Sequence, residues 1–288
     1  MKTFCKILFT KVGEFEIRLK LADLEKIDFI PIYNIRNISC DTKKREAPYQ
    51  YMAIEESPFV AVVTVRRNEN CNIDDKYCGA TILSEHWILS SAECFSTINE
   101  NDDEDLDYFC PKDIFIATKV DAIPPDTDKV THKIEKVVLG NNSISVNSEN
   151  FALIKLIKPI NFDESQKPIQ LAKPTEKPEN MNCLELTGFK FNRKIETENL
   201  GSAFISITNA CYDRLPEIKN DCFCTTEYNY NSSENYSHFL PGTSVVFNNK
   251  LVGFDPNSVT YINSENITYA IFINTADMYD WIMKTIQN

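Results

Sequence analysis

The residues of this chain that could carry chemistry begin with a short stretch bounded by Cys78 and Cys94. Two apolar runs inside it, Thr81–Leu83 and Trp87–Leu89, are typical of strands, and the polar residues between them are typical of a turn. The cysteines can close this hairpin with a disulfide, which contributes about 3 kcal/mol for a loop of this size in the chain-entropy model. A carboxylate, Glu93, directly precedes the second cysteine.

The whole stretch reads Cys78-Gly-Ala-Thr-Ile-Leu-Ser-Glu-His-Trp-Ile-Leu-Ser-Ser-Ala-Glu-Cys94. It resembles the segment of chymotrypsin- and trypsin-like serine proteases that carries the catalytic histidine. That segment reads Cys-Gly-Gly-Ser-Leu-Ile-Ser, two variable residues, then Trp-Val-Leu-Thr-Ala-Ala-His-Cys. Glu93 occupies the position of the histidine. Because a free glutamate titrates near pH 4.3, it accepts protons only weakly at neutral pH.

A second segment, Asn150-Phe-Ala-Leu-Ile-Lys-Leu156, is similar to the family's Asp-Ile-Ala-Leu-Leu-Lys-Leu. In the family this aspartate orients the catalytic histidine, and Asn150 stands in its place. The two changes are consistent with each other. Without an imidazolium to pair with, a buried carboxylate would be an uncompensated charge, and a neutral amide costs less.

The third segment is the one that carries the nucleophile in the family. Val246–Phe254 resembles the strands that follow Gly-Asp-Ser-Gly-Gly-Pro-Leu-Val, and counting back aligns that motif with Phe239-Leu-Pro-Gly-Thr-Ser-Val-Val246. Pro241 then replaces the serine, Leu240 the aspartate used in zymogen activation, and Phe239 the oxyanion-hole glycine. Proline has neither a hydroxyl nor an N–H group. The resemblance therefore predicts that no residue of this chain is catalytic.

One alternative alignment keeps a nucleophile. If the motif is matched through Gly242-Thr-Ser244 instead, Ser244 becomes the nucleophile, with Glu93 or His238 as its base. This alignment deletes three residues from a connection between strands, so we favour the first. Labelling by a fluorophosphonate, which requires an activated serine, distinguishes the two interpretations.

The resemblance covers residues 46–288 and implies an all-β fold of two six-stranded antiparallel β-barrels with a C-terminal α-helix. The first barrel is expected over about 46–158 and the second barrel, with the helix, over 181–288. Prolines and few apolar residues between them, over 159–180, are typical of a crossover between the barrels.

The terminal helix is also predicted from its own pattern. Met278, Ile282 and Ile286 form an apolar stripe at helical spacing, which is expected to pack on the second barrel. Asn274 or Thr275 is expected to cap the helix, since both residue types accept hydrogen bonds at a helix start.

The family register also implies disulfide pairs. It predicts Cys78–Cys94 and Cys211–Cys224. It predicts Cys183–Cys222 as a compensating bridge, because the family's partner of Cys183 corresponds to Phe247 here. The pairing of the remaining cysteines stays open; these are Cys5, Cys40, Cys71 and Cys110.

Residues 1–45 have no counterpart in the family domain. The segment begins like a secretory signal, but Lys11 interrupts it before an apolar core of ~7–15 residues has formed. It is therefore either an N-terminal extension or an imperfect signal region at a wrongly assigned start. Cleavage after Arg45 would expose Glu46, whereas active members expose Ile-Val-Gly-Gly, so we expect no conformational activation.

Composition indicates where the protein works. Ten cysteines favour an oxidising, extracellular compartment. A net charge of −12 argues against a nucleic-acid partner, and no apolar run reaches the ~20 residues of a membrane span. Sequons for N-glycosylation point to the same compartment; they occur at Asn37, Asn141, Asn231, Asn235 and Asn266.

An acidic run, Asn99–Asp107, could be a calcium loop because hard cations prefer carboxylate ligands. Its spacing matches no standard loop, so a solvated acidic loop is favoured. We expect no metal and no cofactor.

These observations predict a secreted, non-catalytic serine protease homologue that acts by binding. The expected partner is an extracellular protein: a protease, an inhibitor or a protease substrate, as for a cofactor or regulator of a protease cascade or a decoy. Two alternatives remain, a residual hydrolase that uses Ser244 and a degenerate gene product without a selected function.

Overall fold

The computed structural model describes a defined part of the chain. The described residues are 50–67, 75–95, 111–125, 130–140, 151–179, 182–191, 198–208, 222–226, 238–256, 260–262 and 268–287. Several predicted features lie outside these ranges: the segment 1–45, the acidic run, Asn150, Cys211 and the glycosylation sites Asn37, Asn141, Asn231, Asn235 and Asn266.

Strands dominate the described residues, and we number them in chain order. The N-terminal half contains β1 (Gln50–Tyr51), β2 (Val60–Arg67), β3 (Lys76–Ile82), β4 (Trp87–Ser91), β5 (Pro111–Thr118), β6 (Ala122–Ile123), β7 (Val130–Leu139) and β8 (Phe151–Leu156). The C-terminal half contains β9 (Gln170–Leu171), β10 (Cys183–Phe191), β11 (Glu198–Thr208), β12 (Cys222–Thr226), β13 (His238–Phe239), β14 (Ser244–Phe247), β15 (Lys250–Phe254), β16 (Thr260–Ile262) and β17 (Thr268–Asn274). Helix α1 spans Tyr279–Ile286, and short 3-10 helices span Ile54–Glu56, Ala92–Phe95 and Pro174–Glu176.

The first barrel closes in the order β2-β3-β4-β8-β7-β5, with antiparallel neighbours throughout. The sequence of strand β2 explains why this strand forms part of the barrel wall. Alternate side chains of a strand point to opposite faces, and Ala61, Val63 and Val65 fill the barrel interior. Val60 and Val62 point the other way, into a second apolar cluster that includes residues of β10 and β11. Both faces of the strand are thus buried, as its continuous apolar run requires.

The second barrel has the order β11-β12-β17-β15-β14-β10, and the pairing of β10 with β11 closes it. Its interior is apolar, with Leu184, Ile205, Val245 and Phe272 among its buried side chains. The expected fold of two six-stranded antiparallel barrels with a C-terminal helix is confirmed.

The terminal helix packs where the two barrels meet. Its predicted stripe is confirmed, because Met278 and Ile282 are buried and Ile286 packs beside them. The same cluster contains Leu89 of the first barrel and Phe254 of the second. The helix therefore contacts both barrels, not the second alone.

The predicted cap of this helix is wrong. The helix is preceded by Met278, which makes no side-chain capping bond. Asn274 Oδ1 instead accepts from the N–H of Ala276 at 3.0 Å, and Thr275 Oγ1 donates to the carbonyl of Leu251 at 3.2 Å. Both side chains serve the turn that leads to the helix.

In the described ranges, no helix has the length and apolar character needed to cross a membrane.

The segment between the barrels is bonded to both of them. Ile169 N–H donates to the carbonyl of Ile82 in the first barrel at 3.0 Å. Strand β9 then pairs in parallel with β15 of the second barrel. The bounds 159–180 of the crossover stay a prediction.

The disulfide between Cys78 and Cys94 is present, with 6.3 Å between the two Cα atoms. The predicted Cys183–Cys222 bridge is wrong. Cys183 lies on β10 and Cys222 on β12, and β11 separates these strands. Two strand spacings place the Cα atoms about 9–10 Å apart, beyond the roughly 7 Å that a disulfide spans.

The remaining cysteines of the second barrel are consistent with this correction. Cys183 and Cys224 each form a disulfide. Cys222 carries a thiol. Because Cys211 lies outside the described residues, the Cys211–Cys224 pair stays a prediction.

Candidate functional site

The segment aligned with the family's nucleophile is a tight turn. Thr243 N–H donates to the carbonyl of Leu240 at 3.1 Å, which closes a four-residue turn over Leu240–Thr243. Pro241 holds its second position and Gly242, with φ of +87°, its third. This is the pattern of a type II turn, in which proline presets the second residue and glycine supplies the positive φ of the third. The Pro-Gly dipeptide was a signal for this turn in the sequence.

Hydrogen bonds fix the turn against both barrels. Gly79 N–H, on β3, donates to the carbonyl of Pro241 at 2.8 Å. Gly242 N–H donates to the carbonyl of Asp255 at 2.6 Å. Ser90 Oγ, on β4, donates to the carbonyl of Gly79 at 2.7 Å. The backbones approach so closely that a Cβ atom on Gly242 would overlap the carbonyl oxygen of Gly79.

The turn lacks the groups that acyl transfer requires. A serine protease uses a hydroxyl nucleophile and an oxyanion hole built from its own N–H and the N–H two residues earlier. Pro241 supplies neither a hydroxyl nor an N–H. Two residues earlier, Phe239 is buried and paired with Lys190 in β10. One oxyanion donor is absent, and the other position belongs to a strand.

Leu240 fills the position of the aspartate that binds the new N-terminus of active members. It is buried in an apolar cluster with Ile54, Phe189 and Leu200. Its N–H donates to the carbonyl of Phe189 at 2.9 Å. A site that is charged in active members is therefore part of the apolar contact between the barrels.

Glu93, in place of the catalytic histidine, lies in the 3-10 helix that follows β4. Lys76 Nζ donates to its backbone carbonyl at 2.8 Å and lies 3.7 Å from its Oε1. Burial raises the pKa of Glu93 above its usual value, and Lys76 opposes this shift in part. The side chain is thus held by an ammonium group on β3.

Ser91 and Lys76 are site residues that the sequence analysis missed. Ser91 Oγ accepts from the N–H of Glu93 at 3.1 Å and donates to the carbonyl of Pro256 in the second barrel. The signal for Ser91 was present, because the family pattern has alanine there. Nothing in the sequence marked Lys76, which reaches Glu93 across the hairpin.

Ser244, the alternative nucleophile, is 1% exposed. Its hydroxyl lies 2.6 Å from the hydroxyl of Thr81, so the two serve as a buried contact between β14 and β3. A threonine hydroxyl is not a base, and a buried serine cannot meet a substrate. The side chain of His238 lies outside the described residues.

The structure brings together the hairpin that carries Glu93 and the turn that carries Pro241. Asn150 lies outside the described residues, and β8 begins at the next residue, Phe151, which pairs with Ser91. In the part of the chain that the structure describes, no three His, Cys, Asp or Glu side chains are arranged to hold a metal ion.

The comparison with known families settles the membership of the chain. The family model described as Trypsin matches residues 50–282. The chain belongs to the trypsin family.

Curated relatives are similar to this trypsin-family chain over shorter stretches. The human transmembrane protease serine 11B is 25% identical over 114 residues, which are 39% of this chain and 24% of that protein. The thrombin-like enzyme barnettobin of Bothrops barnetti is 25% identical over 119 residues, 41% of this chain and 39% of that protein.

The chain thus matches between a quarter and two fifths of the length of these curated relatives.

Solved structures share the fold over most of the length of this chain. The scabies mite inactivated protease paralogue S-D1 superimposes with a TM-score of 0.61 at 18% identity, over 83% of this chain and 97% of that one. Paralogue S-I1 gives 0.59 at 18% identity, over 83% and 99%.

Proposed function

We propose that this chain is a secreted, non-catalytic homologue of the trypsin-like proteases that acts by binding an extracellular protein. The observation that carries the proposal is the turn at Pro241. The residue at the nucleophile position has no hydroxyl and no N–H, and its carbonyl is bonded to Gly79. A proline fixed in this way can neither attack an acyl group nor donate to an oxyanion.

Two further contacts support inactivity. Glu93 lies 3.7 Å from Lys76, and in place of the histidine it supplies a carboxylate where the family uses an imidazole base. Ser244 is buried against Thr81 and is therefore not available to a substrate. We assign no catalytic residue to the positions of Glu93, Asn150, Pro241 and Ser244.

Binding and secretion rest on other support. Two similar structures are of proteins named as inactivated protease paralogues, and a curated relative is a snake venom serine protease of Bothrops jararaca. The intact fold and the Cys78–Cys94 disulfide support a protein that functions folded in an oxidising compartment. A protease, an inhibitor or a protease substrate is the kind of partner we propose, as for a cascade regulator or a decoy.

Several features of the mature protein belong to the same proposal. We propose that the trypsin-like domain spans 46–288, that Cys211 pairs with Cys224, and that the sequons are glycosylated. These are Asn37, Asn141, Asn231, Asn235 and Asn266.

The test of inactivity is covalent labelling. The purified chain, before and after trypsin treatment, is incubated with a fluorophosphonate probe, with active trypsin as positive control. We expect no label on this chain in either state. Label that is lost in the matched variant Ser244→Ala would overturn the proposal and establish the hydrolase alternative.

The test of binding is capture from extracellular fluid of the source organism. The native chain is immobilised beside a reduced and alkylated copy, which has the same composition but no disulfides. We expect a protease, an inhibitor or a protease substrate to be retained by the native chain alone. Equal retention by the two copies would contradict a specific binding role.

A further inference from the structure

A cavity of about 450 Å³ lies on the second barrel, apart from the site described above. It is formed by the segment that precedes β10 and by the hairpin of β14 and β15. The lining residues include Glu176, Glu179, Asn182, Phe247, Asn248 and Lys250. Ser244 begins β14 next to the Pro241 turn and Phe247 ends it, so the cavity lies at the opposite end of this strand. Ligand cavities in proteins typically measure about 300–1,000 Å³, so this one has room for a side chain of a partner.

Phe247 supplies the aromatic part of the lining. It is half-buried and packs on the apolar interior of the second barrel, and it borders the cavity. In the family pattern this position holds the cysteine that pairs with the counterpart of Cys183. The aromatic surface of the cavity therefore comes from the sequence of this chain, not from the family pattern.

The backbone on both sides of the cavity is fixed by hydrogen bonds and turn geometry. Asn248 and Asn249 form the hairpin turn with φ of +50° and +59°, the positive values that a type I′ turn requires. On the other side, Asn182 Oδ1 accepts from the N–H of Glu179 at 2.6 Å, and the carbonyl of Asn182 accepts from Ile207 N–H of β11 at 3.1 Å. The backbone that carries Glu179 is thus held in place without a bound partner.

The charges around the cavity leave one carboxylate uncompensated. Lys250 Nζ donates to Glu176 Oε1, and Lys177 Nζ donates to Asp277 Oδ1. The exposed carboxylate of Glu179 forms no hydrogen bond and no ion pair with the residues that the structure describes. Two ion pairs and one free carboxylate give this region one net negative charge, on a chain whose net charge is −12.

These groups match the chemistry of a guanidinium. An arginine side chain can donate two parallel N–H bonds to a free carboxylate and place its planar face on an aromatic ring. The exposed side chain of Asn248 offers an amide oxygen as a further acceptor. A lysine ammonium fits less well, because it is a point charge without a planar face. An anion would meet the charge of Glu179, since both lysines at the cavity are already paired.

We propose that this cavity binds an arginine side chain of the extracellular protein partner, with Glu179 as its acidic contact and Phe247 as its aromatic contact. The inference rests on the proposed function, since it names the chemistry by which the partner is recognised. Exposed ion pairs and exposed cation–π contacts each contribute little, so a single arginine derivative should bind weakly and measurably.

Nuclear magnetic resonance titration of the full chain with N-acetyl-arginine amide tests the site without the natural partner. We expect saturable shifts of backbone amides within 176–179 and 247–250. N-acetyl-citrulline amide has nearly the same shape without the charge, and it should bind about threefold or more weakly than the arginine probe. Equal affinity for the two probes, or shifts confined to other parts of the chain, would overturn the proposal.

A matched pair of variants assigns the binding to one carboxylate. Glu179→Gln should weaken the arginine probe by about twofold to fivefold, the contribution of an exposed ion pair. Glu164→Gln removes another exposed carboxylate, which lies outside the cavity, and should leave the affinity unchanged. Both positions are exposed, so both variants should fold like the wild type. Equal affinity of Glu179→Gln and Glu164→Gln for the probe would overturn the role of Glu179.

Capture from extracellular fluid separates failure of this site from failure of the proposed function. Immobilised Glu179→Gln should retain less of the partner than the wild type and Glu164→Gln retain. Equal retention by the three chains would overturn the arginine site and leave the proposed function standing. If none of them retains a specific partner while the arginine probe still binds, the proposed function is contradicted instead.

Discussion

The two halves of the candidate site depart from the family pattern in different ways. On the first barrel, the hairpin from Cys78 to Cys94 keeps its disulfide and the bond from Ser90 to Gly79. The loss there is a side chain, because Glu93 replaces histidine. On the second barrel, the turn at Pro241 has lost both the side chain and the backbone N–H that catalysis uses.

This difference shows that the residues that would carry chemistry can change while the barrel framework stays the same. The hairpin forms the wall of the first barrel, so its backbone is retained for stability whether or not the protein is an enzyme. The turn of an active member is held in shape for catalysis, and in this chain Leu240 and Pro241 follow packing and turn preferences instead. We infer that the first half is reversible by restoring two side chains, at Glu93 and Asn150, whereas the second half also needs a changed backbone.

The largest expected effect comes from restoring the activation aspartate. Leu240→Asp removes a buried leucine from the contact between the barrels and places a carboxylate there. We expect it to lower the free energy of unfolding by at least about 4 kcal/mol at pH 7, from lost packing and an uncompensated buried charge. Urea unfolding followed by tryptophan fluorescence measures this.

Leu240→Asn is the matched control for that charge. It removes the same apolar surface, and its side chain has the size of aspartate without the ionisation. The aspartate variant should be the less stable of the two at pH 7, and the gap should close in acid as the carboxyl is protonated. Equal stability of the two variants at pH 7 would mean that the carboxylate reaches water or a cation, and that the activation site is still open.

A smaller effect is expected at the turn itself. Gly242→Ala should cost about 3 kcal/mol, because it forces a side chain into positive φ and against the carbonyl of Gly79. Gly79→Ala enters the same contact from the hairpin side, where its Cβ would lie 2.8 Å from Thr243 N, but without the positive φ. In thermal unfolding, the melting temperature of Gly242→Ala should be lower than that of Gly79→Ala. The reverse order would place the strain in the hairpin and contradict the inference that the turn is the more constrained half of the site.

Short-range patterns accounted for much of the fold. The hairpin and its disulfide could be predicted because two cysteines flank two apolar runs a few residues apart. The stripe Met278, Ile282 and Ile286 was readable because its spacing is that of a helix. The cap failed since Asn274 and Thr275 can serve a turn as well as a helix, and only the packing decides between these.

Long-range contacts could not be predicted in the same way. Whether Cys183 can reach Cys222 depends on the order of the strands, because β11 lies between β10 and β12. The spacing of the cysteines along the chain does not show this order. The contact of Ser244 with Thr81 joins residues of different barrels. In the candidate site, the changed residues Glu93 and Pro241 were visible in the sequence. The partners that hold them, Lys76 and Gly79, required the folded chain.

The smallest expected effect is that of rebuilding the triad side chains. We expect the triple variant Glu93→His, Asn150→Asp, Pro241→Ser to show no gain in hydrolysis over the wild type. The single variant Glu93→His should fold normally, since the hairpin is intact, and serves as the control for folding. A serine at 241 regains an N–H, but Phe239 stays in its strand pair with Lys190. Losing even one oxyanion donor costs about 10²–10³ in turnover, which keeps cleavage of a peptide ester below detection. Burst kinetics of the triple variant with an active-site titrant would mean that the turn still adopts the geometry of an active enzyme, and the second half of the site would then be as reversible as the first.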